Sequence, residues 1–150
     1  MASTENLQKT IERFWDTIPR VWGSVRCVAR KNAAQYFDLS LIQFDILRHI
    51  RRGAHSVAEL AERQQISRPA ISQAVDLLVE KGLVSRSPGA TDRRYVRLEL
   101  TGSGERLIAE LYIKNRAWMA EKLSVLSDAE LETVIDAMQI LKKALDPSTR

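Results

Sequence analysis

Apolar residues recur at helical spacing along most of this chain, and the exception is a short segment that follows Gly82. There the period shortens from about 3.6 to about 2 residues, which predicts two strands, Leu83–Arg86 and Tyr95–Leu100. The intervening residues Ser87–Thr91 have the composition of a turn. The pattern therefore predicts a mostly α-helical (α+β) fold that contains one two-stranded β-hairpin.

Two short predicted helices precede the hairpin, and a serine opens each of them. Ser56 is followed three residues later by Glu59, the spacing of a capping box. The second helix begins at Ser67, tolerates Pro69 in its first turn, and ends at Gly82. The residues between the helices, Gln64–Ile66, are predicted to form a turn, so the segment reads as helix, turn, helix and hairpin.

The second helix has an apolar face and a short polar face when its residues are placed at about 100° per residue. The apolar side carries Ala70, Ile71, Ala74, Val75 and Leu78. The polar side carries Arg68, Pro69, Ser72, Gln73 and Asp76. Such a face is either solvated or enters a DNA major groove, where a helix contacts bases mainly through its N-terminal part.

Asp92, Arg93 and Arg94 stand where the predicted turn meets the returning strand. An arginine at a hairpin tip can enter a narrow minor groove, where the potential is most negative. Asp92 can hold the Arg94 guanidinium through a bidentate pair. The alternative is an ordinary exposed ion pair that contributes little.

These motifs carry a resemblance to the winged helix-turn-helix of the multiple antibiotic resistance regulator (MarR) family. The matching segments are Ser56–Ala61, Ser67–Ser72, Glu80–Arg86, Asp92–Arg94 and Leu100–Thr101, with Leu41–Leu47 resembling the preceding helix. The resemblance implies a homodimeric, mostly repressing transcription factor that a small molecule or an oxidant often releases from DNA. The expected DNA contacts are Ser67, Arg68, Pro69, Ser72, Gln73, Asp76, Arg86, Asp92, Arg93 and Arg94.

The helices at the two ends of the chain are more apolar than lone surface helices. A first helix is expected from Glu5 to about Tyr36, kinked or restarted at Pro19, and a long one from Thr101 to about Leu126. Capping boxes are expected at Ser40 with Gln43 and at Ser127 with Glu130. We expect one domain over residues 1–150, with dimerisation helices at 1–36 and 102–146 and a DNA-binding lobe at 40–101.

Charge is distributed unevenly along a chain whose net charge is +4 and whose pI is about 9.5. Residues 67–104 carry an excess of two positive charges, whereas residues 105–146 carry an excess of two negative charges. Because DNA is a polyanion, the basic hairpin segment favours phosphate contact at one end of the molecule. Arg48, Arg51 and Arg52 lie on the polar side of their helix, where they contact DNA phosphate, contact the facing subunit or are simply solvated; solvation is the default interpretation.

A regulatory ligand would have to distinguish two spacings of the paired recognition helices. Trp22, Arg26 and Arg30 are the candidates for binding an aromatic anion, by stacking and by charge, unless Trp22 is core and both arginines are solvated. The one cysteine, Cys27, excludes an intramolecular disulfide and can be read as a redox sensor or as a small buried residue.

No catalytic or metal-binding motif and no cofactor loop stands out, so enzymatic activity, a metal or another cofactor is not expected. Neither a signal peptide nor an apolar run of about 20 residues is present, which favours a cytoplasmic location without a membrane partner. The expected partners are a pseudo-palindromic double-stranded DNA operator, a second copy of the chain and a small-molecule effector. An architectural DNA-binding protein without an operator and a protein-interaction winged helix remain alternatives.

Overall fold

A computed structural model describes residues 3–89 and 96–145 of this chain. The described elements are α1 (Thr4–Phe37), α2 (Leu41–Arg51), α3 (Val57–Gln64), α4 (Arg68–Glu80), β1 (Val84–Pro88), β2 (Val96–Leu100), α5 (Gly102–Leu123) and α6 (Asp128–Leu145). The chain divides into two compact units, residues 1–113 and 114–150, which are described separately. Helices and one antiparallel pair of strands make up the fold class expected from the pattern.

Helix α1 is a single element of 34 residues that contains Pro19. Ser3 caps its start by accepting a hydrogen bond from the Asn6 amide, and Asp38 ends it with a left-handed backbone. Of the two expectations at Pro19, a restart is wrong, since the helix continues through that residue, and a kink stays a prediction. Proline has no backbone N–H, so the Trp15 carbonyl, four residues earlier, lacks its usual helical hydrogen bond. Trp15 is 70% exposed.

Helix α2 begins with the capping box that its sequence predicts. The Gln43 amide donates to Ser40 Oγ at 3.2 Å, and the Ser40 amide donates to Gln43 Oε1 at 2.9 Å. The Ser56 box forms only in part, because Glu59 Oε2 accepts from the amide of His55 and not from that of Ser56. Glu59 therefore binds the amide of His55. The carbonyl of the same residue accepts a hydrogen bond from the Leu98 amide of β2 at 2.8 Å.

The core of the first unit joins one face of each helix from the end of α1 to the start of α5. Its fully buried large side chains are Leu39, Ile46, Leu47, Leu60, Ile71, Val75, Leu78, Val84, Leu98, Ile108 and Leu111. Several of these are the apolar positions expected on α4. Burial of so many aliphatic side chains fixes α4 against α2 and α3, because each contributes about 1.5–3 kcal/mol relative to exposure.

The hairpin is antiparallel, with Val84 opposite Leu100 and Pro88 opposite Val96. Leu83, which was expected to begin the first strand, lies just before it. Ser87 and Pro88, which were expected in the turn, extend β1. The prediction for Tyr95 at the start of the second strand lies outside the described residues, as does the rest of the hairpin tip.

A close backbone approach joins the hairpin to the start of α5. A Cβ atom added to Gly104 would lie 2.1 Å from the Leu83 carbonyl oxygen, so only glycine fits. Thr101 ties the same junction, because its hydroxyl donates to the Gly82 carbonyl at 2.6 Å and accepts from the Gly104 amide at 3.0 Å. Gly82 itself has a φ of +68°, the left-handed conformation expected after α4.

The second unit holds the end of α5 and all of α6. None of its described side chains, residues 114–145, is buried. Ser127 and Glu130 form the expected capping box, with the Ser127 amide donating to Glu130 Oε2 at 2.8 Å. Hydrogen bonds from the Ser127 backbone and side chain lower the pKa of Glu130, because they stabilise its carboxylate.

Candidate nucleic-acid interface

The polar face of α4 is open to solvent, whereas its opposite face is buried. Arg68, Pro69, Gln73 and Asp76 are exposed and Ser72 is half-buried, as the helical spacing predicts. Ile71, Val75 and Leu78 have no exposed surface on the other side. The polar side chains are therefore presented by a helix whose backbone cannot shift without disturbing the core.

Ser67 has a structural role at the N-terminus of α4. Its Oγ accepts a hydrogen bond from the Ala70 amide at 3.4 Å, and Pro69 occupies the first turn where no amide is needed. The Ile71 amide already donates to the Ser67 carbonyl, so the Arg68 amide and the positive end of the helix dipole are the groups that favour an anion at this point. A phosphate contact by this helix end is therefore compatible with the cap.

Asp76 and Arg86, both expected to contact DNA, are paired with each other. Arg86 Nη2 lies 2.6 Å from Asp76 Oδ1, so the pair joins α4 to β1 across the exposed side of the lobe. Their side chains remain 37% and 51% exposed for Arg86 and Asp76, respectively. The pair places one guanidinium at the boundary between the helix and the hairpin.

Lys81 anchors the other end of α4, a contact that sequence reasoning missed. Its Nζ donates to the Asp38 carbonyl and lies 3.1 Å from Asp38 Oδ2, so the end of α4 is held to the end of α1. Lys81 is an unremarkable charged residue in the sequence. The sequence indicates this contact only weakly, because the only sign of it is a lysine directly before Gly82, the residue that predicts the end of α4.

Asp92, Arg93 and Arg94 lie outside the described residues, so their predicted role stays a prediction. The described stem of the hairpin carries another arginine that the sequence reading did not select. Arg97 Nε lies 3.0 Å from Glu99 Oε1 on the same strand.

A cleft lies between α1, α2 and the end of α3, with a volume of about 290 Å³. Its charged lining residues are three arginines and one aspartate, Arg26, Arg48, Arg63 and Asp45. His49 and Gln64 also line it. Arg48 Nη2 lies 3.0 Å from Asp45 Oδ1, and Arg26 Nη2 lies 3.7 Å from Asp45 Oδ2. The expectation that Arg48 is simply solvated is therefore wrong, since its side chain is only 20% exposed.

Two donors in this cleft lack a partner among the described residues. They are Arg48 Nε and Gln64 Nε2, and both atoms are buried. Burial, followed by the charges of Arg48, Arg63 and Arg52, lowers the pKa of His49 below 6.5, although Asp45 acts in the opposite direction. The cleft thus has an excess of positive charge and of hydrogen-bond donors, which suits an anion.

Of the three residues expected to bind an aromatic effector, Arg26 lines this cleft and Trp22 and Arg30 do not. Trp22 lies one helical turn before Arg26 and is 51% exposed, so it is not part of the core. Arg30 is exposed and Cys27 is half-buried. Arg51 is exposed, as expected, and its Cζ lies 5.3 Å from the Tyr112 ring centroid while its Nε lies 3.8 Å from Glu105 Oε2.

Known proteins share both the sequence and the fold. The model of the MarR family matches residues 37–94. An uncharacterized HTH-type transcriptional regulator of Bacillus subtilis, YpoP, is 32% identical over 107 residues, which cover 71% of this chain and 76% of that protein. The HTH-type transcriptional repressor MdtR of the same organism is 33% identical over 81 residues, or 54% of this chain and 52% of MdtR.

The fold is also that of a MarR family protein from Bacillus stearothermophilus, with a TM-score of 0.80 and 22% identity. That alignment covers 96% of this chain and 99% of the other. No helix within residues 3–89 and 96–145 is long and apolar enough to cross a membrane. This chain belongs to the MarR family of DNA-binding transcriptional regulators, whose members are not enzymes.

Proposed function

We propose that this chain is a homodimeric, sequence-specific transcriptional repressor that a small aromatic anion releases from DNA. The observation that carries the proposal is the exposed polar face of α4, backed by fully buried residues and joined to β1 through Arg86. In the proposed complex α4 enters a major groove, where Ser72 and Gln73 meet base edges and Arg68 meets a base or a phosphate. Arg93 and Arg94 of the hairpin tip enter the neighbouring minor groove.

Exposed apolar side chains on the first and last helices support dimerisation. On α1 they include Trp15 and Trp22, at 70% and 51% exposed, and on α6 they include Ile135, Met138 and Ile140, at 55–67% exposed. Patches of this kind in a soluble chain mark interaction sites, and α6 has no buried residue of its own. Two-fold symmetry then predicts a pseudo-palindromic operator with half-sites spaced by about 10 base pairs or a multiple.

Selection of duplexes from genomic fragments, followed by footprinting, tests the DNA-binding proposal. We expect a protected pseudo-palindrome, and we expect Arg94→Ala to weaken binding to it strongly. A footprint without sequence preference would instead favour the architectural alternative, in which salt dependence accounts for all of the affinity.

Sedimentation tests the dimer in the same preparations. Ile135→Asp places a charge among the exposed apolar residues of α6 and should yield monomers with weakened DNA binding. Gln139→Asp adds the same charge at an exposed polar position of the same helix and should leave the dimer intact. Equal sedimentation of the two variants would contradict the proposed use of α6.

The effector proposal rests on the cleft between α1, α2 and α3. Its unpartnered donors, Arg48 Nε and Gln64 Nε2, can bind a carboxylate, and Arg26 adds charge at the rim. Trp22, one turn away on α1, offers an exposed ring on which an aromatic ligand can stack. Calorimetry with benzoate and related aromatic carboxylates should show binding, and no heat with any of them would contradict the proposal.

Oxidation of Cys27 is the second candidate for release, since the thiol is only partly buried. Labelling of the native protein with iodoacetamide tests it. A Cys27 that reacts only after denaturation removes this candidate.

A further inference from the structure

The ion pair between Asp76 and Arg86 sets a carboxylate on the very face of α4 that is open to solvent. Asp76 lies in one row with Arg68 and Ser72, at successive four-residue intervals. A carboxylate that is 51% exposed at this place repels DNA phosphates unless something neutralises it. Arg86 Nη2, at 2.6 Å from Asp76 Oδ1, is the neutralising group.

Stability of the fold does not explain the pair. Both side chains are more than a third exposed, and exposed ion pairs contribute little to folding because water screens them. The core beneath them is complete without the pair, because Ile71, Val75 and Leu98 are fully buried by aliphatic neighbours. What the pair does change is the position of the Arg86 guanidinium.

The backbone directs Arg86 toward α4, and Asp76 fixes the end of its side chain. Arg86 is opposite Leu98 in the hairpin, and Leu98 has no exposed surface, so the two share the strand face that packs on the lobe. A guanidinium carries five N–H donors in a rigid plane. Asp76 takes Nη2, and the rest of the plane can bind a phosphate oxygen at the boundary between helix and hairpin.

Fixing the side chain in advance lowers the entropy lost when DNA binds. An arginine side chain has many rotamers in solution, and part of that entropy is lost when the side chain is held in one place. Because Asp76 already holds Arg86 in the free protein, this rotamer entropy is lost when the protein folds and not when it binds DNA. A negative residue on a DNA-binding face then raises affinity.

We propose that Asp76 is a positioning residue, which orients the Arg86 guanidinium toward a DNA phosphate and contacts no base itself. The inference rests on the proposed function, in which α4 and the hairpin contact one duplex together. It narrows the role of Asp76, which the sequence predicted as a DNA contact, to an action through Arg86.

The test measures affinity and salt dependence on a duplex that the parent protein selects from a random library. Asp76→Asn should bind about tenfold more weakly, although it removes a negative charge, because a lost charge-assisted contact corresponds to about that ratio. Asp76→Glu should recover most of the affinity, since it restores the carboxylate. The double variant Asp76→Asn with Arg86→Ala should bind no more weakly than Arg86→Ala alone.

Glu80→Gln is the matched control, because Glu80 is an exposed acid on the same helix without an ion pair to any described residue. It should bind as tightly as the parent or slightly more tightly. Arg86→Ala should also lower the salt slope by about one phosphate contact. Thermal unfolding of each variant confirms that the fold is kept.

Two results would overturn the inference while leaving the proposed function in place. Tighter binding by Asp76→Asn with a steeper salt slope would show that Asp76 only repels DNA. A changed base preference in Asp76→Asn, additive with Arg86→Ala, would show that Asp76 reads a base. If the parent protein selects no duplex at all, the proposed function itself fails, and the inference fails with it.

Discussion

Arginines cluster in two regions of the first unit, and the two regions differ in how exposed their polar side chains are. On the α4 and hairpin surface the polar side chains are exposed and stand on a buried aliphatic layer. In the cleft between α1, α2 and α3, Arg48 is largely buried, and together with Arg26 it pairs with one aspartate, Asp45, that is only 15% exposed. Exposed donors on a rigid support can meet a large polyanion, whereas partly buried donors can enclose only a small one.

The difference teaches that a count of basic residues does not define a site. Arg68 and Arg48 are the same residue type on neighbouring helices, yet one is exposed and the other is largely buried. The salt dependence of binding should differ between the two kinds of site, because exposed charges are screened more than buried ones.

Gly104→Ala should have the largest effect of these changes, and it should lower DNA affinity more than anion affinity in the cleft. The added methyl meets the Leu83 carbonyl oxygen at 2.1 Å, so α5 and the hairpin must separate. We expect a loss of about 2–4 kcal/mol in the free energy of unfolding and a large fall in DNA affinity. Denaturant unfolding and gel shifts measure both, and Gly23→Ala, which adds a methyl where nothing lies within 4 Å, is the control.

Arg48→Ala should weaken benzoate binding strongly and leave DNA affinity nearly unchanged. It removes a buried donor of the cleft and one of the two arginines beside Asp45. We expect about tenfold or greater loss of anion affinity, with some loss of stability because Asp45 keeps only Arg26. Calorimetry checks the first expectation, and Arg52→Ala, on the exposed side of the same helix end, is the comparison variant.

Gln73→Ala should change which DNA sequence is bound more than how stable the protein is. Gln73 is exposed on α4 and has no structural contact in the described part of the chain that its loss would break. We expect preference at one base pair to relax by about 1–3 kcal/mol. Binding measured across a set of single-base operator variants checks this, and a loss that is uniform over the set would instead indicate a phosphate contact.

Anion affinity in the cleft should rise as the pH falls, and the effect should be the smallest of the four. The pKa of His49 is lowered from 6.5, so the side chain is largely neutral at pH 7 in the free protein. A bound carboxylate favours the imidazolium and raises that pKa, so binding takes up a proton. Affinity therefore increases from neutral pH down to the lowered pKa and then levels off.

His49→Gln should bind benzoate with an affinity that is flat over the same range. Calorimetry in buffers of different ionisation enthalpy measures the proton uptake directly. Equal pH dependence in parent and variant would assign the effect to another group.

Much of the local structure is determined by residues that are close in sequence. The caps at Ser40, Ser67 and Ser127, the left-handed Gly82 and the two faces of α4 all lie where spacing and residue type place them. Each of these depends on interactions within a few residues, so the linear chain contains the necessary information. The change of period after Gly82 identified the hairpin for the same reason.

Contacts between distant residues were decided only by the tertiary structure. Lys81 contacts Asp38, Arg86 pairs with Asp76, and the Leu98 amide donates to the His55 carbonyl. Arg48 and Arg51 both lie on the polar side of α2 in sequence, yet Arg48 is largely buried beside Asp45 whereas Arg51 stays exposed next to the Tyr112 ring. Periodicity states which face of a helix is polar, but not which other element lies against that face, because that depends on how the aliphatic layers of the whole lobe pack.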